Sequence, residues 1–302
     1  VNDERRGFLL GAAAYSMWGL FPVYWPLLEP AGAVEILAHR ICWSVVTMLA
    51  LTVLLGRTAQ LRAIFRSRRV LALLTVASVV IGVNWGGFIY GVNNHRVVEV
   101  SLGYFINPLV TVLLGVIVLG ERLRPLQWTA IGLATLAVIG LTVDYGHPPW
   151  IAFLLAGTFG TYGLAKKKAN VEAVESLTFE TLVLAPFALG YLVWLGSQGS
   201  ANFGTHGVGH ALLLTSTGLV TALPLICFGA AAIRVSMTTI GLLQYLAPTL
   251  QFALGLLVFH EEMTPVKWVG FAMVWVALVI FTTETLHNRG RQLRLAAEAS
   301  AV

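Results

Sequence analysis

Residues 100–141 read VSLGYFINPLVTVLLGVIVLGERLRPLQWTAIGLATLAVIGL, and residues 240–281 read IGLLQYLAPTLQFALGLLVFHEEMTPVKWVGFAMVWVALVIF. A constant shift of 140 superposes Pro108 on Pro248, Gly115 on Gly255, Glu121 on Glu261, Pro125 on Pro265 and Trp128 on Trp268. Working outward, Ala33-Val34-Glu35 recurs as Ala173-Val174-Glu175 at the same shift. Trp18-Gly19-Leu20 resembles Tyr162-Gly163-Leu164 at a shift of 144, which implies a small insertion between the first two spans of a half. An internal repeat in so apolar a chain points to a pathway protein with its site between the halves.

The 302 residues are 57% hydrophobic and 11% charged, where a soluble domain carries about 25% charged residues. Such a chain cannot cover a water-facing surface and belongs in lipid. A span needs roughly 20 apolar residues. The pattern predicts an all-α membrane protein with ten spans, at 8–28, 33–55, 70–92, 98–119, 126–143, 150–165, 172–195, 210–232, 237–259 and 266–284. No cleavable leader is expected, because only Phe8-Leu9-Leu10 precede Ala12-Ala13-Ala14 as an apolar core. Cys42 and Cys227 both fall in apolar spans and read as packing residues.

Charge sets the direction. With both termini cytoplasmic, the inner side holds 16 of the 19 basic residues, among them Arg57, Arg62, Arg66, Arg68, Arg69, Lys166, Lys167 and Lys168. Only Arg96 and Lys267 lie outside, and Arg40 lies within a span. The net charge of +5 is therefore a topology signal, scattered over separate loops, and no nucleic-acid partner is expected. Five spans is an odd number, so the halves must run oppositely through the membrane as inverted repeats around a central cavity. The predicted units are 7–143, 150–284 and a flexible basic tail, 285–302.

The fourth and ninth spans carry matched stripes. Ser101, Tyr104, Pro108, Thr111 and Gly115 share one helical face, and Gly241, Gln244, Pro248, Gln251 and Gly255 form its counterpart. Polar groups are costly in hydrocarbon, so these faces are expected to line the cavity. Each proline removes a backbone bond, which makes the carbonyls of Tyr104 and Gln244 candidate free acceptors; the other reading is a kink with close packing. In the third span, Gly82/Gly86 and Gly87/Gly91 are close-approach pairs, with Asn84 and Trp85 among them. Trp18, Tyr162 and Tyr245 complete the aromatic inventory of the expected substrate cavity.

Arg40 lies about two turns, roughly 10 Å, inside its span, with His39 beside it and Glu180 as its repeat equivalent. Ionisable groups inside a membrane mark function or a partner. An ion pair between Arg40 and Glu180, contact with substrate, proton coupling through His39 or Glu180, and snorkelling of Arg40 towards water all stay open. Glu121 and Glu261 read as structural, each favouring the N-terminus of the helix that begins at Pro125 or Pro265.

His206 and His210 are too isolated to predict a metal site, and His260-Glu261-Glu262 is not the zinc motif H-E-x-x-H. No phosphate loop or dinucleotide fingerprint occurs, so no cofactor is expected and transport would be gradient-driven or passive.

The strings EILAHRICWS (35–44), NWGGFIYGVNNH (84–95), SLGYFINPL (101–109), GERLRPLQW (120–128), YGLAKKK (162–168) and QYLAPTL (244–250) resemble the RarD group in the EamA branch of the drug/metabolite transporter superfamily. The resemblance runs from Gly7 to about Thr283; His260 departs from it, standing where Gly120 stands in the first repeat. It implies two inverted repeats of five helices around a cavity, in a multi-pass permease of the plasma (bacterial inner) membrane. The implied substrate is a small organic solute, and the group is associated with chloramphenicol. A membrane sensor or scaffold is the alternative; an intramembrane enzyme lacks a catalytic constellation.

Overall fold

The computed structural model describes residues 2–119, 123–232, 234–235 and 243–300. The order of elements is α1 (Asn2–Tyr24), a 3-10 turn (Trp25–Leu28), α2 (Ala33–Leu54), α3 (Thr58–Ile64), α4 (Arg68–Asn93), α5 (Val97–Leu119) and α6 (Pro125–Tyr145). Then follow α7 (Trp150–Ala169), α8 (Ala173–Ser197), α9 (Gly207–Ala232), α10 (Leu246–Leu257) and α11 (Pro265–Ser300). Every regular element among the described residues is a helix, with no strand. Seven helices, namely α2, α4, α5, α6, α8, α9 and α11, are long and apolar enough to cross a membrane.

Local chemistry sets the boundaries. Pro125 and Pro265 open α6 and α11, where a missing N–H costs no helical bond. Gly146, at φ 70°, closes α6 in the left-handed conformation, and Asn170, at φ 51°, closes α7 in the same way. Two differences from the sequence reading stand out. The stretch 57–69, read as a basic loop, contains α3, whose Ile64 joins Leu74, Ala169 and Phe179 in a small apolar cluster. α11 continues as helix through the tail read as flexible, to Ser300, over 36 residues.

Elements related by the shift of 140 pack on each other: α2 on α8, α5 on α10 and α6 on α11. The remaining contacts come in matching sets. α4 packs on α7 as α1 packs on α9, and α5 packs on α7 as α1 packs on α10. The glycine pairs divide between two interfaces. A Cβ on Gly82 or Gly86 would meet Leu184 or Leu37, whereas one on Gly87 or Gly91 would meet Leu154 or Val100. Among the described glycines the shortest such distance is between α2 and α9, where a Cβ on Gly218 would stand 2.4 Å from the Trp43 carbonyl oxygen.

The α2–α8 pair is clasped at both ends. Glu35, in the first turn of α2, accepts from the backbone N–H and the side-chain amide of Asn202, both at 2.7 Å. Its repeat partner Glu175, in the first turn of α8, takes Arg57 at 3.1 Å, and Glu172 takes the same Arg57 at 2.6 Å. Each buried glutamate thus holds the chain that leaves the other helix.

Candidate functional site

Polar side chains of both halves meet inside the bundle. Asn84 on α4 is buried and donates to the Leu155 carbonyl at 3.0 Å and to the Thr158 hydroxyl at 2.9 Å, both on α7. The Tyr104 hydroxyl on α5 donates to Asn84 Oδ1 at 3.2 Å, and its ring packs against Phe88 and Phe159. An Asn inside a membrane helix needs partners, and this one joins three helices. Ser101 is turned inward and donates to the Val98 carbonyl at 2.7 Å. Thr111 is exposed, on the side of α5 facing Gly160 of α7.

The counterpart interface holds Trp18 on α1 and Gln251 on α10. Gln251 is buried, and its amide donates to the Trp18 carbonyl at 3.3 Å. The Trp18 ring packs with Tyr15 and with Phe228 of α9. Pro108 stands inside α5, as its sequence position implies. Pro248 does not interrupt a helix in the same way. It falls in the first turn of α10, where no intrahelical donor is lost, so the Gln244 carbonyl is not an acceptor freed from a continuous span. Tyr245 points elsewhere as well, its hydroxyl 3.3 Å from Thr282 on α11 and its ring beside the α5–α6–α11 core. Gly241 and Glu121 lie outside the described residues.

Arg40 and Glu180 have separate surroundings. Arg40 is 4% exposed, so it does not snorkel outward. Its guanidinium carbon lies 4.0 Å from the centre of the Trp85 ring, 5.1 Å from Trp25 and 5.8 Å from Phe21. Nε donates to the Thr221 hydroxyl on α9 at 3.1 Å. Glu180 is fully buried and pairs with Lys166 at 2.9 Å. It also accepts from the Ser176 hydroxyl at 2.6 Å and from the Tyr162 hydroxyl at 3.1 Å. Lys166, read from the sequence only as a topology signal, thus also supplies the counterion of Glu180; the available signal was its placement four residues after Tyr162, on the same helical face. His39 turns away from Arg40 and stacks on Phe203 at 5.0 Å, near the loop that Glu35 holds.

The loop glutamates cap helices at a distance. Glu261 does not serve the helix that follows it. Its carboxylate accepts from the backbone N–H groups of Val97 and Val98, and so caps α5. Burial pushes the Glu261 carboxyl up to about 7, outweighing the two N–H donors and Lys267. Glu99 caps α7 through the Ile151 N–H at 2.9 Å and pairs with Arg96. His210 Nε2 lies 2.8 Å from the Leu28 carbonyl, and His206 contacts the Thr205 hydroxyl at 2.9 Å.

Comparison with known proteins fits this architecture. The model of the EamA-like transporter family matches residues 5–143. A curated relative, Protein RarD of Streptomyces exfoliatus, is 56% identical over 300 residues, covering 99% of this chain and 95% of the relative. The chain belongs to the EamA-like transporter family. An uncharacterized transporter of Vibrio cholerae is 42% identical over 285 residues, covering 94% of each chain. A solved crystal structure superposes with a TM-score of 0.58 at 16% identity, over 92% of this chain and 97% of that one, a likeness of fold alone. Membership makes this EamA chain a multi-pass membrane transporter, and the seven long apolar helices agree with that.

Proposed function

We propose that this chain is a permease for a small organic solute, with ten membrane crossings in two inverted repeats, 7–143 and 150–284. It sits in the bacterial plasma membrane with both termini in the cytoplasm. Alternating access arises when one half rocks against the other. The observation that carries this reading is the placement of polar groups at two repeat-related interfaces, Asn84–Tyr104–Thr158 and Trp18–Gln251, each uniting both halves. The mutual packing of α2 with α8, α5 with α10 and α6 with α11 supports an approximate two-fold relation between the halves.

Substrate contacts are assigned to Trp18, Asn84, Trp85, Tyr104 and Gln251, with Ser101, Pro108, Thr111, Tyr162, Gln244 and Pro248 shaping the same pathway. Coupling is to a proton carried by Glu180 or His39, or to exchange of one solute for another. Uptake and efflux in proteoliposomes over a metabolite and drug panel that includes chloramphenicol, with and without a pH gradient, tests the reading. Saturable flux that Asn84→Leu or Gln251→Leu abolishes is expected. Flux no greater than in protein-free vesicles across the panel would overturn it.

A further inference from the structure

Arg40 is a buried cation with no carboxylate partner among the described residues. The described buried carboxylates are each engaged elsewhere: Glu35 by Asn202, Glu175 by Arg57, Glu180 by Lys166 and Glu99 by Arg96. Aromatic rings and one hydroxyl do not neutralise a charge in a low-dielectric setting, and a buried unpaired ion is strongly destabilising. The chain does build counterions for buried charges, as Lys166 does for Glu180, so the contrast at Arg40 is specific to this place.

The geometry also leaves the binding end of Arg40 uncommitted. Nε is taken by Thr221, while neither Nη has a hydrogen bond to a described residue. The two Nη groups form the planar fork that matches a carboxylate with two parallel bonds. Trp85 stacks on the guanidinium from α4, Trp25 and Phe21 close in from the end of α1, and Thr221 fixes the orientation from α9. The Tyr24 hydroxyl donates to the Leu213 carbonyl and the Tyr104 hydroxyl to Asn84 Oδ1. Trp85 adjoins Asn84 in the chain, and the Asn84 side chain joins α4, α5 and α7.

We propose that Arg40 is the anion-recognition residue of the pathway, and that the solute is an organic monocarboxylate with a flat apolar or aromatic body. The carboxylate takes the Nη fork, and the body lies against the ring of Trp85, the one of these two indoles that keeps exposed surface. This rests on the transporter reading for its physiological meaning, but the binding site stands on its own geometry.

The test uses the purified full chain in detergent, with indole-3-acetate as probe and its uncharged amide, indole-3-acetamide, as control. Binding is read by the shift in melting temperature and by calorimetry. Indole-3-acetate is expected to stabilise the protein and the amide to do so far less. Arg40→Gln should weaken the acid by about tenfold or more without changing the amide. Arg40→Lys should keep a preference for the acid at lower affinity, because it retains charge and loses the fork. Equal binding of acid and amide, no binding of either at millimolar concentration, or undiminished binding of the acid by a folded Arg40→Gln protein would each overturn the proposal. Reconstituted vesicles separate the two claims. Arg40-dependent binding without flux of any solute would defeat the transporter reading alone. Flux of neutral solutes untouched by Arg40→Gln, with no preference for the acid, would defeat the anion site alone.

Discussion

Arg40 and Glu180 stand at the same place in the two copies of the repeat, each seven residues after the alanine that opens α2 or α8. Both are buried. Glu180 has its counterion supplied by the chain, together with two hydroxyl donors. Arg40 has three aromatic rings and a threonine hydroxyl. The repeat keeps helices and helix starts alike because packing demands it. It does not keep the chemistry around the two buried charges alike. One charge is neutralised within the chain, and the other has no carboxylate partner among the described residues.

The contrast breaks most visibly through stability. Removing Lys166 leaves Glu180 as a buried ion without its cation, and loss of one partner of such a pair costs about 3 kcal/mol. Lys166→Met should therefore lower the melting temperature in detergent clearly, and Lys166→Met with Glu180→Gln should recover most of the loss. Arg40→Gln removes a charge that has no partner to orphan, so its melting temperature should stay level or rise. A loss as large as that of Lys166→Met would mean that Arg40 is neutralised within the chain, and the contrast would fail.

A second test bears on the shared frame. Gly218→Ala drives a Cβ into the Trp43 carbonyl, a backbone atom that cannot swing aside. Overpacking of this kind costs about 1–3 kcal/mol. Gly229, with open space around its Cβ position, should accept alanine with little change in melting temperature. Equal tolerance at both glycines would contradict the close crossing of α2 and α9 that holds Thr221 against Arg40.

Smaller still is the effect of Asn84→Ala, which leaves Tyr104 and Thr158 without their shared partner. A loss of about 1 kcal/mol is expected, read by chemical denaturation in mixed micelles. Unchanged stability would show that the three helices do not depend on this junction.

A separate test is the pH response of the cap on α5. The Glu261 carboxyl is raised from 4.5 to about 7 by burial. Below about pH 4.5 both folded and unfolded chains hold the proton, and the stability it confers is complete. As pH rises through about 7 that contribution is lost, because the folded chain must then bury a charge. Melting temperature should fall across this window, and Glu261→Gln should flatten the slope. An identical slope in the variant would remove Glu261 as its source.

Much of the frame was legible in the residues. The repeat at 140 fixed which helices correspond, and Pro125 and Pro265 marked helix starts correctly because a first turn has no use for their missing N–H. Gly82, Gly86, Gly87 and Gly91 were rightly read as points of close approach. Partners across helices were not legible. Spacing placed Glu261 before Pro265, yet its carboxylate reaches back to α5, a contact set by tertiary packing alone. A pair between Arg40 and Glu180 was one of several readings left open because the shift relates them, but equivalence in a repeat is not adjacency in space. Tyr245 carries the same ambiguity, since one residue of helical phase decides whether it meets the pathway or α11.

The opposite facing of the two charges follows from one claim, that the halves run in opposite directions through the membrane. Single cysteines in the loops that the buried glutamates clasp test it most directly. With Cys42 and Cys227 replaced by serine, Gln60→Cys reports on the chain after α2, and Thr205→Cys on the chain after α8; both positions are exposed. An impermeant maleimide applied to intact cells should label Thr205→Cys at once and Gln60→Cys only after permeabilisation. Labelling of Gln60→Cys in intact cells, or of both from the same side, would contradict the inverted arrangement.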